Sequence, residues 1–453
     1  MNKKTRHLNV LSLFIDNSMR VKSAWLVAFG FYSAICVSGQ PIYHPIGAAV
    51  TLGTVSNIRS LSSSLSNPAS PYLMFDENEA RDNPSGQFRF GIIGPGGVGI
   101  EVGDIDSLAD ELDELELVLD DTSLTYAEAL AAQTQYNAFL ENAGEEEYVK
   151  VSTAGYIPAF PILYKHPKYG TFAFDLILQG EAKMLVLDDE LDIVVSGSDV
   201  TLETDSSVYA QTALASVFGI GYSNQVWRNQ RGQIILGSKL NLTRMKLSRS
   251  IGTIENLDED DVLEESDAFS NNYSIDLGAI WLTQNTLFGI KATNLNEPRY
   301  DFDELGTDCA AKTGIALVNC NVVATFVSSG DIAYSEEYIA KKQFSIEAAT
   351  SLLERQWSIQ GSLDLNAVAD AVEDDYQWFV ISASHFGSSS WLPGFRAGYS
   401  KNLAGTKLDY LNMGFTLFQR ANLDIGWALD TVEVDGTSMP RSIFVNLGLE
   451  TAF

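Results

Sequence analysis

The sequence predicts a mainly β protein, a closed antiparallel transmembrane β-barrel with a small N-terminal helical hairpin. Three observations predict this fold. Apolar and polar residues alternate in segments of about ten residues, the length of a tilted strand that crosses a bilayer. No apolar run of about eighteen residues follows the N-terminal segment, so no transmembrane helix is expected there. Tryptophans lie in or beside predicted strands, as in aromatic girdles: Trp227, Trp281, Trp357, Trp378, Trp391 and Trp427.

The clearest alternation lies in residues 343–453. Within residues 356–366, Trp357, Ile359 and Leu363 share one face and polar residues occupy the other, because successive side chains of a strand point to opposite faces. We expect at least six antiparallel strands in residues 340–453, with their apolar faces toward lipid. The side chains predicted to face outward are Trp357, Leu363, Phe415, Leu417, Ile425 and Leu447.

A soluble β-sandwich or β-solenoid would also show this alternation, since one face of its sheets is buried. The C-terminus favours the membrane barrel. Outer-membrane barrels resemble one another in ending on an aromatic residue after alternating apolar positions, and Phe453 follows Leu447 and Leu449, although Thr451 departs from the pattern. We therefore predict that Phe453 is an assembly signal read by the barrel-assembly machinery.

The formal net charge of the 453-residue chain is −30. Nucleic-acid binding depends on neutralising phosphates. A protein with this excess of negative charge is therefore not expected to bind nucleic acid. The expected surroundings are outer-membrane lipid and lipopolysaccharide, with acidic loops in a cation-rich medium. The sign of the charge carries no information about the fold.

Residues 1–39 are typical of an export signal peptide. Arg20 and Lys22 precede the apolar run Ala24–Val37, and small residues follow, which predicts cleavage after Gly39. Cys36 leaves a lipoprotein signal as the alternative, although the residues before it are a poor approach to a lipidated cysteine. The signal predicts export to the cell outer membrane.

Residues 40–147 form a predicted plug or periplasmic segment. Residues 41–86 have no clear period and predict coil with short ordered pieces. Residues 87–103 predict a β-hairpin whose turn is the glycine-rich run from Gly94 to Gly99. That run matches a dinucleotide-binding fingerprint, but such a site needs a helix after the last glycine, and strand residues follow here.

A helical hairpin is predicted over about residues 104–143. Leu108, Leu112 and Leu115 have helical spacing with acidic residues between them. A second helix is expected from about residue 124 to 142, with Thr122 or Ser123 as its N-cap and Gly144 as its end. Because the hairpin is too polar for lipid, we expect it in the periplasm or inside the barrel.

The predicted barrel spans residues 148–453. Its first strands are expected at residues 149–156, 170–178, 181–187, 191–203, 207–222 and 231–247. Tyr273, Ile275, Leu277 and Trp281 mark a further strand, and residues 285–294 another. Residues 254–268 form an acidic loop, interpreted as a solvated extracellular loop with weak Ca²⁺ binding as the alternative.

Cys309 and Cys320 lie in the longest break in the strand pattern, residues 295–340. In an oxidising compartment such a pair is expected to form a disulfide bond. Two free thiols are the alternative, and metal binding is disfavoured because no histidine lies nearby.

No arrangement of residues predicts catalysis. The sequence offers no Ser-His-Asp order, paired-histidine metal motif or Cys-His arrangement that can be assembled. We therefore expect a protein that is not an enzyme, with no catalytic, cofactor-binding or metal-binding residues.

The chain resembles the TraF-like outer-membrane family, named after the F-plasmid transfer operon, and the related FadL-like group of long-chain fatty acid transporters. The resemblance rests on the signal, the acidic helical hairpin, the amphipathic strands and the final Phe453, and most of all on two short motifs. The first is Asn67-Pro68-Ala69, and the second runs from Asn294 to Pro298 after a strand.

This resemblance implies a barrel of about fourteen strands with an N-terminal segment in or under its lumen. It implies a channel or transporter for a small compound, hydrophobic in the FadL-like group, and no ligand-binding residue carries over. The alternative from another class is a structural or conjugation accessory protein with a plugged lumen. A lateral opening or a continuous lumen path would favour transport, and a filled lumen would favour the structural role.

Overall fold

The computed structural model describes most of the chain after its N-terminal segment. The predicted signal peptide at residues 1–39, Phe453 and most of the predicted acidic loop lie outside the described residues. The described residues are 46–57, 60–75, 84–103, 105, 108–121, 123–197, 199–254, 269–352, 356–386, 393–418, 420–434 and 437–450.

Fourteen strands form one closed antiparallel sheet, as predicted. Each strand pairs with the next one in the sequence, and β14 pairs with β1 to close the barrel. Strand β2 consists of two segments at one position between β1 and β3. The strands are β1 Phe88–Val102, β2 Tyr148–Tyr156 and Ile162–His166, β3 Gly170–Leu187, β4 Ser207–Asn229, β5 Gly232–Thr253, β6 Ser270–Leu282, β7 Thr286–Thr293, β8 Gln343–Leu352, β9 Trp357–Asp364, β10 Trp378–His385, β11 Gly394–Asn402, β12 Asp409–Leu417, β13 Ala421–Ala428 and β14 Ser442–Glu450.

Helices and small ladders lie in the connections. The α-helices are α1 Ala49–Leu52, α2 Leu108–Leu119, α3 Tyr126–Glu146 and α4 Ile315–Ser329. Single 3₁₀ turns span Ser63–Leu65, Ser70–Met74, Pro84–Gln87 and Cys309–Ala311. The two-stranded ladders pair Asp192–Ser196 with Asp199–Glu203, Arg299–Asp301 with Glu337–Ile339, Val368–Ala369 with Asp375–Tyr376, and Thr431–Val434 with Thr437–Pro440. Among the described residues, no helix has both the length and the apolar character needed to cross a membrane.

The barrel wall is apolar outside and polar inside. Phe415 and Leu447 are 43% and 62% exposed, and the other residues predicted to face outward are exposed or half-buried. Inward positions between them carry buried polar side chains, among them Ser362, Asp424 and Asn446. This arrangement is the reverse of a soluble β-sandwich and is that of a transmembrane barrel. The predicted faces of the C-terminal strands are therefore confirmed.

The two ends of the barrel differ in the length of their connections. One end, here called the short-turn end, joins strands by short turns such as residues 167–169, 230–231 and 283–285. The other, the long-loop end, carries residues 103–147, 188–206, 254–269, 294–342 and 365–377. In outer-membrane barrels the short turns are periplasmic and the long loops extracellular.

Aromatic side chains mark the short-turn end. Trp281 stacks on Phe288 at 5.8 Å between ring centroids, and Trp357 meets Phe395 at 5.7 Å. Such a belt suits a membrane interface, where one end of the ring is wet. Trp378 differs from the expected pattern, because it is buried and faces the lumen.

Residues 46–57 and 60–75 fill the lumen, and we call them the plug. They have the short ordered pieces expected for residues 41–86, and almost all of them are buried. Helix α1 packs against β10 to β13, and the turn Ser70–Met74 packs against β3 to β5. The plug thus crosses the lumen from one wall to the other.

The helical hairpin is present as helices α2 and α3. It lies at the long-loop end, where Leu115 and Leu140 share an apolar cluster with Leu191, just before the ladder that connects β3 and β4, and with Leu202 of that ladder. The ladder between β3 and β4 has an apolar face of its own, and the hairpin packs against that face. The hairpin therefore neither fills the lumen nor lies at the short-turn end.

The limits predicted for its second helix are wrong. Helix α3 is capped by Thr125, whose hydroxyl accepts a hydrogen bond from the Glu128 amide while the Glu128 side chain accepts from the Thr125 amide. This capping box satisfies the first free amides better than Thr122 or Ser123 could. The helix continues through Gly144 to Glu146, and β2 starts two residues later.

Residues 87–103 form one strand, β1, instead of the predicted hairpin. The register of β1 against β14 shifts twice between Gly91 and Gly96, so β-bulges absorb the glycine-rich run without reversing the chain. The barrel consequently begins at Phe88 rather than at residue 148. Two further strand predictions were wrong in detail: residues 170–187 are one strand, and residues 191–203 are a two-stranded ladder turning at Gly197.

Candidate functional site: a chamber between the plug and an inward loop

The first half of the plug is hydrogen-bonded to the wall at β14 and β13. The Gly47 amide donates to Asn446 Oδ1 at 2.9 Å, and the Thr51 hydroxyl donates to Asp424 Oδ1 at 2.7 Å. Asp424 also pairs with Arg396 Nη2 at 2.8 Å, and both side chains are buried. The wall thus offers fixed, oriented acceptors to an uncharged segment.

Glu347 of β8 ties two separate parts of the plug together. Its carboxylate accepts the Ser56 hydroxyl at 2.9 Å and the Asn67 side-chain amide at 2.7 Å, and the Ser56 backbone amide also donates to it. Glu347 is buried. A buried carboxylate needs such donors, so this contact depends on the plug remaining in place.

The motif Asn67-Pro68-Ala69 lies where the plug touches the wall most closely. Asn67 is fully buried and accepts the Ala69 amide on its side-chain oxygen at 3.0 Å. A Cβ atom at Gly237 would clash with the Pro68 carbonyl, and one at Gly278 would clash with the Asn67 side chain. Glycine at these two wall positions therefore makes the close approach feasible.

The motif from Asn294 to Pro298 forms a turn after β7 at the long-loop end. Asn294 and Glu297 have φ angles of 52° and 47°, and the Glu297 amide donates to the Asn294 carbonyl at 2.9 Å. The Asn294 amide also donates to Asp276 Oδ1 at 2.9 Å. Pro68 of the first motif and Asn294 of the second both line the cavity described below.

Residues 365–377, which we call the inward loop, enter the lumen from the long-loop end. Asp370 is fully buried and forms an ion pair with Lys150 of β2. Asp374 pairs with Lys150 at 2.9 Å and with Lys183 at 2.5 Å. Charged groups of β2 and β3 thus hold the inward loop in the lumen.

Between the plug and the inward loop lies a cavity of about 130 Å³, which we call the chamber. The plug contributes Ile46, Ala49, Leu65 and Pro68 to its lining, and Val368 and Tyr376 come from the inward loop. The wall contributes four charged side chains: Lys239, Asp276, Lys291 and Asp364. Aromatic rings of Tyr156, Tyr376 and Trp378 complete the lining.

Two of the charged groups are held by defined partners. Asp276 accepts the Asn241 side-chain amide at 2.6 Å, and Asp364 accepts the Trp378 backbone amide at 2.9 Å. These contacts orient carboxylates that already face the lumen because of the strand period. The chamber can therefore present fixed negative groups to a small molecule.

Beside the chamber, strand β2 is interrupted at residues 157–161. Tyr156, the last residue of its first segment, lines the chamber. Across the break, single hydrogen bonds run from the Ile157 amide to the Leu176 carbonyl at 3.0 Å and from the Gly91 amide to the Pro161 carbonyl at 3.0 Å. The wall is therefore paired less regularly here than in the neighbouring strands.

Cys309 and Cys320 are joined by a disulfide bond, with their Cα atoms 5.6 Å apart. The bond ties the 3₁₀ turn Cys309–Ala311 to helix α4 at the long-loop end. Neither cysteine lines the chamber. Within the described parts of the chain, no group of three or more His, Cys, Asp or Glu side chains could hold a metal ion.

Sequence reasoning missed the chamber and most of its residues. Glu347, Asp276 and Lys291 could have been found as charged residues at inward positions of otherwise apolar strands. Their meeting point could not, because it depends on where the plug and the inward loop cross the lumen.

A family model described as "F plasmid transfer operon, TraF, protein" matches residues 64–364. The chain belongs to this TraF family. The matched range begins inside the plug and ends at Asp364, so it includes both motifs and all four charged residues of the chamber lining. No curated protein matches the chain.

Several solved barrels of low identity are similar to this TraF family member. One is a TodX monoaromatic hydrocarbon channel mutant lacking S2 and S3, with 10% identity, a TM-score of 0.45 and coverage of 91% of this chain and 100% of that one. A Pseudomonas aeruginosa FadL homologue has 9% identity, a TM-score of 0.44 and coverage of 92% and 99%. The Pseudomonas putida toluene transporter TodX has 12% identity, a TM-score of 0.40 and coverage of 92% and 98%.

Proposed function

We propose that this TraF family protein is a non-enzymatic outer-membrane channel that passes a small, partly hydrophobic compound through its lumen. The observation that carries the proposal is the chamber, a cavity that lies between the plug and the inward loop. A purely structural plug would be expected to pack without such a space, since protein interiors are close to crystal density. The apolar outer wall suits contact with outer-membrane lipid and lipopolysaccharide.

The size of the chamber indicates the size of the compound. A cavity of about 150 Å³ holds a molecule such as benzene, and the chamber measures about 130 Å³. We infer that the compound enters from the long-loop end when the inward loop moves and leaves when the plug moves. The interrupted part of β2 beside Tyr156 is a second candidate exit, toward the membrane.

The competing function is that of a structural or conjugation accessory protein with a sealed lumen. The plug supports this alternative, because polar wall groups hold it at Gly47, Thr51, Ser56 and Asn67. The two functions make opposite predictions about solute flux through the purified protein.

Reconstitution of the full chain into liposomes tests the proposal. The measured quantity is the permeation rate of small alcohols and sugars, for the natural chain and for a variant with residues 366–376 replaced by a short Gly-Ser linker. We expect measurable flux of compounds near the size of benzene, exclusion of sugars, and faster flux in the variant. Absence of flux above protein-free liposomes in both proteins would support the sealed structural role instead.

A further inference from the structure

The charges around the chamber do not balance. Lys239 is neutralised by Asp175, with 3.0 Å between Nζ and Oδ2. Lys239 also acts on Asp276, and Lys291 acts on three carboxylates: Asp276, Glu347 and Asp364. Two lysines, Lys239 and Lys291, face four carboxylates when Asp175 is included, so negative charge is in excess around the chamber. An anion placed there would be repelled, whereas a cation would restore the balance.

A hydrogen-bond acceptor near Asp276 is also unused. The side-chain oxygen of Asn241 is buried and has no hydrogen-bond partner among the described residues, while the amide nitrogen of that side chain donates to Asp276. A buried acceptor without a donor costs free energy. A ligand that brings an N–H or O–H donor to this region, such as the hydroxyl group of an amino alcohol, would supply such a donor.

Three aromatic rings line the same space. Tyr156, Tyr376 and Trp378 come from β2, the inward loop and β10. Aromatic faces attract ammonium groups, and sites for alkylated ammonium ions combine such rings with carboxylates. The remaining lining includes Ile46 and Leu65 of the plug, which suit a short hydrocarbon part.

The long-loop end favours the approach of cations. Residues 103–147, which contain the helical hairpin, include 14 Asp and Glu residues and no Lys, Arg or His. The hairpin packs on the ladder formed by residues 192–203, which is also free of basic residues. Such a surface concentrates cations and repels anions at the entrance.

We propose that the chamber takes a small organic ammonium ion with a short hydrocarbon part. The inference rests on the proposed channel function for its physiological meaning and names the class of compound that the channel would carry. It makes Asp276 and Asp364 the residues that determine specificity, and it gives the aromatic rings the role of contacting the alkyl groups on nitrogen.

The test uses three probes of nearly equal shape and different charge: choline, the neutral 3,3-dimethylbutan-1-ol and the anion 3,3-dimethylbutyrate. Their dissociation constants are measured by calorimetry with the full chain in detergent micelles at low salt. We expect choline to bind at least about tenfold more tightly than the neutral probe, and the anion to bind most weakly. Equal affinities, a preference for the anion, or no binding of choline would overturn the proposal.

Variants distinguish binding in the chamber from general electrostatic attraction by the acidic protein. Asp276→Asn and Asp364→Asn should each weaken choline binding about tenfold and leave the neutral probe unchanged. Asp192→Asn removes one exposed carboxylate from the long-loop end and should leave choline binding nearly unchanged. Heat-modifiable migration in gels confirms that each variant is a folded barrel. Equal losses in all three variants would overturn the assignment to the chamber.

The outcome is distinguishable from failure of the channel proposal. Permeation of the neutral alcohol through liposomes without choline binding would retain the channel and reject the ammonium site. Choline binding to micellar protein without any flux would retain the site and reject the channel.

Discussion

The plug and the inward loop close the same lumen with different chemistry. The described plug residues, 46–57 and 60–75, include no charged side chain, and neutral donors attach them to the wall. The inward loop is held by ion pairs from Asp370 and Asp374 to two lysines. Contacts made by neutral donors change little with salt. The Lys183–Asp374 pair, whose side chains are 15% and 13% exposed, weakens modestly as salt rises, whereas the buried Lys150–Asp370 pair is screened much less. The comparison predicts one closure that responds to ionic conditions and one that does not.

The largest expected effect comes from removing the charged anchor beneath the plug. Asp424→Ala would leave Arg396 buried without its partner and the Thr51 hydroxyl without its acceptor. Breaking a buried pair in this way costs about 3–5 kcal/mol. The free energy of unfolding in urea, measured on the refolded barrel in micelles, should fall by that amount. Asp192→Asn is the matched control, and a fall no larger than in that control would show that the pair does not stabilise the barrel.

A smaller effect is expected from adding bulk at the closest contact between plug and wall. Gly237→Val would place side-chain atoms where the Pro68 carbonyl lies, and such overpacking costs about 1–3 kcal/mol. Hydrogen exchange of residues 66–70 should become faster in this variant, as the plug is displaced. Ala279→Val, on the outer face of the neighbouring strand, is the control for added bulk. Unchanged protection of residues 66–70 would mean that the plug does not depend on this contact.

The inward loop should respond to loss of one carboxylate and to salt. Asp374→Asn removes its ion pairs with Lys150 and Lys183, each a charged hydrogen bond of about 1.5–3 kcal/mol. Exchange of amides in residues 365–377 should accelerate, and raising the salt from about 0.05 M to about 0.5 M should accelerate it in the natural chain too. The plug amides serve as the internal control. Equal salt sensitivity in plug and inward loop would refute the contrast between them.

The smallest effect concerns pH. Burial, followed by the hydrogen bond and the negative charge of Glu373, raises the pKa of Glu336 from 4.5 to about 7. Glu373 belongs to the inward loop, so protonated Glu336 favours the closed loop. Because the pKa of Glu336 is higher in the folded protein than in the unfolded chain, its contribution to the stability of the closed inward loop is largest at low pH. That contribution declines as pH rises from about 4.5 to 7. Hydrogen exchange of the inward loop should therefore accelerate between about pH 4.5 and about pH 7 beyond its intrinsic pH dependence. Glu336→Gln should remove this additional acceleration of exchange. If the acceleration persists in the variant, another group causes it.

Strand faces were the part of the fold that the sequence could predict. Phe415, Ile425 and Leu447 lie on the outer face because alternation is a local property of the chain, set by neighbours two residues apart. The segments that were predicted wrongly have a local composition that favours one structure, while strand pairing in the barrel imposes another. Gly94 to Gly97 has the composition of a turn, yet pairing of Gly96 and Gly97 with β2 and β14 keeps the chain in a strand.

The chamber could not be predicted because its residues meet only after closure of the barrel. Pro68, Asp276 and Asp364 are far apart in the sequence, and their proximity depends on the path of the plug. The motif Asn67-Pro68-Ala69 pointed to the right segment through family resemblance, not through physics. The physical reason for the motif is that Gly237 and Gly278 on the facing strands leave room for it. The sequence alone does not show that these two glycines face the motif, because this depends on how the strands pair.

The central claim is that two chemically independent closures stand in series on one lumen. Single-channel conductance in planar bilayers tests it most directly, with the natural chain, Gly237→Val, Asp374→Asn and the double variant. Two closures in series predict low conductance for the natural chain, small increases for either single variant, and a conductance in the double variant well above the sum of those increases. Full opening by one single variant, or no conductance in the double variant, would contradict the account.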